Sequence, residues 1–173
     1  GKLEYLSIRI SYLKNYLNFL KLKNVNFFSE KITSPIINKI DTDIEKVFSR
    51  IDENEEVILK SDIEGSEFEV IDGITKYSQR IKMLIFEFHW LDKNEDVFLD
   101  TVRKLKKDFE IIHIHGNNHC EKLDTGLPIT LEMTLLNKKY ATNIKDFNIN
   151  FPLNNLDYSN NPYKEDLIFN FED

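Results

Sequence analysis

One stretch, residues 57–71, constrains the fold of this chain more than any other. An apolar run that begins at Val57 ends in two acids, Asp62 and Glu64, followed by Gly65 and then at once by a helix start. A strand that leads through a short polar turn into a helix is typical of α/β sheets. Ligands of such sheets bind outside the carboxyl ends of the strands, so this stretch also predicts where a site would lie.

Hydrophobic patterning over the rest of the chain predicts strands and helices in alternation. A near-continuous apolar run at residues 81–90 indicates a strand covered on both faces, and strict alternation at 130–137 indicates the last strand. Two successive strand–helix–strand units imply a mostly parallel α/β sheet, with an antiparallel last strand because no helix precedes it. The predicted strands are 57–59, 81–90, 110–115 and 130–137. Two of the predicted helices span 3–22 and 94–107. A third is capped by Thr42 and Glu45, and a fourth is capped by Ser66 and Glu69 and stops near Asp72 and Gly73.

The composition restricts the classes of partner and compartment. The chain has 173 residues and a formal net charge of -7, and its basic residues are scattered. Phosphate binding requires a clustered basic surface, so nucleic acid is not expected as a partner. We expect no signal peptide, and the sequence contains no apolar run of membrane-spanning length. The single cysteine, Cys120, excludes an intrachain disulfide, and a cytoplasmic protein without a membrane partner is the expectation.

Residues 1–40 are predicted to form an N-terminal helix and linker, ahead of an α/β domain over 41–173 with an extended C-terminal tail. Two interpretations of the helix remain open. It can pack on the domain, or residues 3–20 can join two copies of the chain into a homo-oligomer. Apolar residues at alternating spacings of three and four form a helical stripe with heptad character, at Leu3, Leu6, Ile10, Leu13, Leu17 and Leu20.

Three of the predicted strands end in polar side chains that a buried strand does not require. Because the carboxyl ends of parallel strands meet at one edge of a sheet, we expect these side chains to lie together. Carboxylates and imidazoles in one cleft can hold a metal ion, position a substrate hydroxyl or take its proton. The set comprises Asp62 and Glu64 after the first strand, Glu87 and His89 after the second, His115, Asn117 and Asn118 after the third, and Glu132 within the last.

Several of these residues also have a purely structural interpretation. Asp62 can accept hydrogen bonds from the free N–H groups of the next helix, and Asn117-Asn118 is a common turn pair. His89 can be a buried histidine with satisfied hydrogen bonds, and His113, deeper in its strand, favours that interpretation. First-turn acids that favour the helix dipole are the interpretation for Glu67 and Glu69.

The histidines by themselves do not predict a zinc site. His113, His115, His119 and Cys120 form a series that suggests zinc, but a strand does not bring such spacings together as a helix would. No metal ligands are therefore assigned from the sequence.

The first strand end resembles the signature of a known family. Residues 59–67, Leu-Lys-Ser-Asp-Ile-Glu-Gly-Ser-Glu, are similar to the Lys-x-Asp-x-Glu-Gly-x-Glu signature of FkbM-type methyltransferases. The resemblance covers residues 40–173 and implies part of a Rossmann-like class I methyltransferase sheet, with S-adenosylmethionine as cofactor. Similar blocks follow in the same order at residues 85–89, 112–118, 128, 131–134, 156–162 and 166–167.

The resemblance also implies roles for individual positions. Asp62 would lie between methyl donor and acceptor with Glu64 beside it, and Ser61 and Asp62 would contact the cofactor. Asp62, Glu64 or His89 would take the proton of the acceptor, a hydroxyl on a sugar or other small metabolite. The acceptor-binding residues would be Glu87, His115, Asn117, Asn118 and Glu132.

The donor half of the family's pattern is not matched. In this fold a glycine-rich turn lets the backbone approach the cofactor. The chain has five glycines, and none forms a Gly-x-Gly turn after a strand. The chain is therefore expected to be either part of a longer enzyme or a form without a complete donor site.

Two functions of other classes stay open. One is a non-catalytic binding or assembly module that associates through its N-terminal helix. The other is a metal-dependent hydrolase that uses Asp62, Glu64, His89 and His115.

Overall fold

The computed structural model of the protein describes residues 2–142 and 150–170. Its contacts divide the chain into two compact units, residues 1–31 and 32–173, ahead of the boundary predicted at residue 40. The first unit contains helix α1 (Lys2–Phe19). The apolar side chains of α1 are distributed around the helix rather than along one stripe, and those from Tyr5 to Phe19 are exposed. The side chain of Leu3, part of the predicted stripe, lies outside the described part.

Strands and helices alternate over residues 44–116, as the patterning predicts. None of the helices in the described ranges combines the length and the apolar composition that a bilayer crossing requires. In chain order the elements are β1 (Lys31–Ile32), β2 (Asp41–Thr42), α2 (Ile44–Phe48), β3 (Val57–Ser61), α3 (Glu67–Lys76), a 3-10 turn (Ser78–Arg80), β4 (Ile81–Phe88), α4 (Leu91–Leu105), β5 (Phe109–Gly116), β6 (Leu131–Asn137), β7 (Asn150–Phe151) and β8 (Phe169–Asn170).

The central sheet has four strands in the order β3-β4-β6-β5. β3 pairs with β4 in parallel, and β6 pairs antiparallel with both β4 and β5. The antiparallel last strand is confirmed. The prediction of a mostly parallel sheet was wrong in its pairings, because the long connection after β5 lets β6 return between β4 and β5. Three of the four strands still run in one direction, so the fold is a mixed α/β fold with three strand ends at one edge.

The core lies between the sheet and the helices α3 and α4. On β4, Leu84, Phe86 and Phe88 are buried, while the alternate residues on the other face are half-buried. The ring of Phe88 contacts Phe68 of α3 and Phe98 of α4, with centroid distances of 5.6 and 5.3 Å. Within the described residues β3 is an edge strand, and its Ile58 is 64% exposed. β3 is therefore only partly buried, although its apolar run is typical of a buried strand.

Three helix signals differ from the prediction for local reasons. Asp43, not Thr42, caps α2, and its side chain accepts a hydrogen bond from the Lys46 N–H at 2.8 Å. Ser66 makes no capping bond at α3, so the second predicted capping box is not formed.

Gly73 does not stop α3 but lies inside it, where an added Cβ would be 3.0 Å from Cβ of Ile44. Gly73 therefore lets α3 pack closely on α2.

The described part of the C-terminal tail packs on the domain. β7 and β8 form a short antiparallel pair, and Phe151 and Phe169 from these strands belong to the core. Gly116 at the end of β5 leaves room for this contact, because an added Cβ would be 2.9 Å from the Phe169 ring. The prediction for residues 143–149 and 171–173 lies outside the described residues.

Candidate functional site

The turn that follows β3 is built around the carboxylate of Glu67, which is 0% exposed. Its Oε1 accepts hydrogen bonds from the N–H groups of Ile63 at 3.1 Å and Gly65 at 3.2 Å, and its Oε2 accepts from Gly65 at 3.0 Å. The backbone reverses sharply here, with φ of 55° at Glu64 and 104° at Gly65. Glu67 lies in the first turn of α3, as its interpretation as a first-turn acid predicts. Its side chain has the additional role of tying the turn to the helix it starts.

The same carboxylate orients His89 at the end of β4. Nδ1 of His89 lies 3.1 Å from Oε1 of Glu67. A carboxylate only accepts hydrogen bonds, so Nδ1 donates and the lone pair of the ring lies on Nε2. The His89 side chain is 10% exposed, and the carboxylates nearest to Nε2 are Glu64 at 3.7 Å and Glu87 at 3.8 Å. Nε2 is therefore held in place beside acids without a close hydrogen bond.

Three side chains from two neighbouring strand ends converge to form what we call the strand-end cluster. It consists of Asp62, Glu87 and His89, each of which offers one ligand atom within 4.8 Å of the others. The side chain of Asn117 donates to Oε1 of Glu87 at 3.2 Å and thereby fixes it. The sheet thus brings together Asp62, Glu87, His89 and Asn117 as predicted from the strand ends.

The strand-end cluster is rich in negative charge. Asp62, Glu64 and Glu87 lie around His89, and Lys60 approaches Asp62 only at 3.7 Å with a largely exposed side chain. An exposed pair of this kind offsets little charge. A cationic or hydrogen-bond-donating ligand is therefore favoured at this edge.

His115 belongs to a second group, which we call the tail cluster: His115, Glu132, Asn160 and Asp166. Nδ1 of His115 lies 3.4 Å from Glu132 and Nε2 lies 3.1 Å from Asp166, while Asn160 donates to Glu132 at 2.9 Å. The carboxylates of Glu132 and Asp166 raise the pKa of His115 to about 9, against the effect of burial. His115 in turn lowers the pKa of Glu132. His115 therefore pairs with the tail and is not among the residues of the strand-end cluster.

Asn118 and His113 hold the tail at two further points. Asn118 is buried, donates to the carbonyls of Asn161 and Lys164 at 3.0 and 3.2 Å, and accepts from the Asn161 N–H at 2.6 Å. His113 lies 2.9 Å from Asp157, which agrees with its structural interpretation. Both polar atoms of the Asn118 side chain are thus occupied, and its predicted acceptor-binding role has no support in the geometry.

Ser61 and Asp62, predicted to contact the cofactor, end β3 and open the turn. Ser61 is buried, and Asp62 is partly exposed. Trp90 covers the turn from the side of α4. An added Cβ at Gly65 would lie 2.8 Å from the Trp90 ring, and Trp90 itself has a φ of 59°. Left-handed residues other than glycine are costly and cluster at functional sites, which marks Glu64 and Trp90 as part of this corner.

Three contributing residues, Glu67, Trp90 and Asp166, were not predicted as site residues. Glu67 occupies the last position of the Lys-x-Asp-x-Glu-Gly-x-Glu signature, and that position was the available signal. Trp90 directly follows the strand-end residue His89. Asp166 lies in the block 166–167 that resembles the family, but no sequence pattern paired it with His115, because only the folded tail brings the two within 3.1 Å.

Comparison with known proteins gives one family and no individual relative. Residues 7–114 match the methyltransferase FkbM domain, whereas no curated protein and no solved structure matches the chain. The match begins within α1 and contains the strand-end cluster and Glu67; it ends before His115 and the tail. It covers more than half of the 173 residues. The family resemblance recognised in the sequence is thereby confirmed, over residues 7–114 rather than the expected 40–173, and the chain belongs to the methyltransferase FkbM domain family.

Proposed function

We propose that the protein is an S-adenosylmethionine-dependent O-methyltransferase that acts on a hydroxyl group of a sugar or other small metabolite. The observation that carries this proposal is the strand-end cluster, in which the buried Glu67 orients His89 at 3.1 Å within the range matched to the methyltransferase family. Methyl transfer to oxygen requires an aligned hydroxyl and a group that takes its proton. The cluster supplies carboxylates that can align the hydroxyl and an imidazole that can take its proton.

His89 is the proton acceptor in this proposal. Its Nε2 carries the lone pair, and Glu67 on the other side of the ring stabilises the imidazolium that forms when the proton arrives. Glu87, held by Asn117 at 3.2 Å, accepts a hydrogen bond from a hydroxyl of the acceptor. Asp62 and Glu64 complete the acidic wall and are the alternative proton acceptors.

The cofactor contacts would come from Ser61 and Asp62. S-adenosylmethionine, when bound, would supply an electrophilic methyl group on a positively charged sulfonium. The acidic end of β3 fits that charge. The adenosine part fits less well, because the described residues contain no glycine-rich turn after a strand, and the one glycine that follows β3, Gly65, is covered by Trp90.

The acceptor side offers groups that suit a polyhydroxylated molecule. Register pairing aligns Glu87 with Glu132 and Glu132 with His115 along one edge of the sheet. Carboxylates accept hydrogen bonds from hydroxyl groups and Asn117 contributes an amide. A carbohydrate or similar polyol is therefore the proposed class of acceptor.

The first test is isothermal titration with S-adenosylmethionine. We expect one saturable site per chain and at least tenfold weaker binding by Asp62→Asn, because the carboxylate that faces the sulfonium is neutralised. Asp124→Asn, an exposed acid in the loop before β6, is the matched control and should bind as the wild type does. Absence of saturable heat from the wild type would contradict S-adenosylmethionine dependence.

A non-catalytic assembly role is a second candidate, favoured by the surface of α1. Apolar side chains from Tyr5 to Phe19 are each about half exposed or more, and exposed apolar surface of such extent marks an interaction site. We propose a second copy of the chain as its partner. Light scattering should show a mass that rises with concentration and falls to the monomer value in Leu13→Lys/Leu17→Lys. A concentration-independent monomer mass for the wild type would exclude this role.

A further inference from the structure

We propose that the strand-end cluster binds a divalent transition-metal ion through the carboxylates of Asp62 and Glu87 and through Nε2 of His89. These three ligand atoms, one from each residue, lie within 4.8 Å of one another at the carboxyl ends of β3 and β4. Three ligands at about 2.1 Å from one ion lie about 3.0 to 3.6 Å from one another, from octahedral to trigonal arrangements. The longest separation in the cluster therefore needs to contract by up to about 1.2 to 1.8 Å, which the partly exposed side chain of Asp62 can supply by rotation.

The orientation of His89 is the independent observation that points to a ligand. The side chain is nine-tenths buried, yet Nε2 has no hydrogen-bond partner among the described residues and lies 3.7 and 3.8 Å from the nearest carboxylates. Its Nδ1 donates to the fully buried Glu67. Metal-binding histidines characteristically donate their other ring N–H to a carboxylate, which fixes the tautomer and raises the basicity of the ligand nitrogen.

The position of Glu67 is itself fixed, so this orientation is preformed. The N–H groups of Ile63 and Gly65 bond to the Glu67 carboxylate at 3.0 to 3.2 Å. Glu87 is likewise held by Asn117 at 3.2 Å. Two of the three ligands are therefore anchored by neighbouring groups, as ligands of a built site are.

Charge and ligand type indicate the class of ion. Two carboxylates with Glu64 beside them leave an excess of negative charge, which Lys60 at 3.7 Å offsets weakly. Carboxylates suit Mg²⁺, Ca²⁺ and Mn²⁺, whereas imidazole suits transition metals. A mixed set of one nitrogen and two oxygens favours an ion such as Mn²⁺.

Three protein ligands leave open coordination positions toward solvent. If the proposed function holds, an acceptor hydroxyl would occupy one of them, and coordination would lower the pKa of that hydroxyl. In that case Nε2 of His89 is occupied by the ion, and the proton goes to Glu64, one of the alternative proton acceptors named above, which is 81% exposed and 3.7 Å from Nε2. This role rests on the proposed function; the binding of the ion does not.

The test is titration of the whole chain with MnCl₂ in the absence of S-adenosylmethionine, followed by calorimetry and by the electron paramagnetic resonance signal of free Mn²⁺. We expect one site per chain, with nitrogen coupling from an imidazole in pulsed spectra. His89→Gln should weaken binding at least tenfold and abolish the nitrogen coupling. Glu67→Gln, which leaves all three ligands in place, should weaken it about 10- to 100-fold.

His119→Gln is the matched control, because His119 is exposed and lies outside the cluster; it should bind Mn²⁺ as the wild type does. Circular dichroism of each variant separates loss of the ligand from loss of the fold, and Asp62→Asn serves as a second variant should His89→Gln not fold. Absence of saturable Mn²⁺ binding, or equal binding by wild type, His89→Gln and Asp62→Asn, would overturn the proposal. Failure of S-adenosylmethionine binding with intact Mn²⁺ binding would count against the proposed function alone.

Discussion

Glu67 determines the geometry of the corner more than the residues first expected to carry chemistry. Its carboxylate accepts from two backbone N–H groups of the β3 turn and from His89. A buried carboxylate without such partners would be destabilising, so the three bonds form a mutually dependent set. The orientation of His89 and the shape of the turn after β3 are therefore one feature of the molecule.

The first prediction concerns Glu67→Gln. The amide keeps the size of the side chain but replaces one acceptor oxygen with an NH₂ group, which cannot accept from both the turn and Nδ1 of His89. We expect a loss of about 1 to 3 kcal/mol in the free energy of unfolding and a shift of the His89 proton from Nδ1 to Nε2. Urea unfolding measures the first and ¹⁵N chemical shifts of the imidazole measure the second. Glu69→Gln, which alters only the 2.7 Å bond to Thr33, should leave the His89 tautomer unchanged.

Gly65 provides a second prediction at this scale. Its φ is 104°, and an added Cβ would lie 2.8 Å from the Trp90 ring, whereas Gly126 has a φ of 86° with nothing within 4 Å. Gly126→Ala should therefore cost about 1 kcal/mol through the backbone alone. Gly65→Ala should cost about 2 to 3 kcal/mol because a steric clash is added. Thermal unfolding of both variants measures the difference. Equal losses of stability would mean that the Trp90 ring moves away from the added methyl group at no cost in free energy.

At the scale of elements, the return of β6 between β4 and β5 joins the two clusters. β6 carries Glu132 to a position opposite both Glu87 and His115. The tail then reaches the same edge, where Asp166 and Asn160 bond to His115 and Glu132. Strand β6 therefore forms one wall of the proposed acceptor site, and the tail forms the adjacent wall.

The contact between β5 and the tail should depend on pH. The pKa of His115 rises from its ordinary value of 6.5 to about 9 in the folded protein. Protonated His115 is favoured by folding, so its stabilisation is fully present below pH 6.5 and is lost as the pH rises through about 9. The difference in unfolding free energy between wild type and His115→Gln should shrink by about 3 kcal/mol between pH 6.5 and pH 9.5.

Urea unfolding at the two pH values checks this prediction. His119→Gln is the control, since its exposed imidazole bonds to a backbone carbonyl, that of Asn160, rather than to a carboxylate. A constant difference between wild type and His115→Gln across this range would show that the ion pairs with Glu132 and Asp166 do not form.

Asn118 should act on the tail alone. Its buried amide bonds to the backbone of Asn161, Lys164 and Glu165, so Asn118→Ala leaves several tail groups without partners. Hydrogen exchange should become at least tenfold faster at the Asn161 N–H, which bonds to the Asn118 side chain at 2.6 Å. The amides of β4 and β6 should change little. Equal acceleration throughout the domain would instead show that the tail and the sheet unfold as one unit.

For the molecule as a whole, the sequence predicted what depends on local patterns and missed what depends on long-range contacts. The strand ends at Asp62 and His89 followed from apolar runs that stop at polar residues. The alternation of apolar and polar residues predicted β6, but no local sequence pattern predicted its place between β4 and β5. The sequence identified Glu67 only as a helix acid, because its contact with His89 joins two residues that are 22 positions apart. The position of Asp166 depends on the path of the tail, which no hydrophobic periodicity in the sequence predicts.

The most direct measurement of the central claim is transfer of a labelled methyl group from S-adenosylmethionine to a hydroxyl acceptor, tested with a panel of monosaccharides and polyols. We expect label in at least one acceptor and formation of S-adenosylhomocysteine by wild type and by His119→Gln. The initial rate of His89→Gln should be about 10² to 10⁴ times lower, because this variant lacks the imidazole that takes the proton or, with an ion bound, holds that ion beside the hydroxyl. A His89→Gln rate equal to that of the wild type, or no S-adenosylhomocysteine from the wild type with any hydroxyl acceptor, would contradict it.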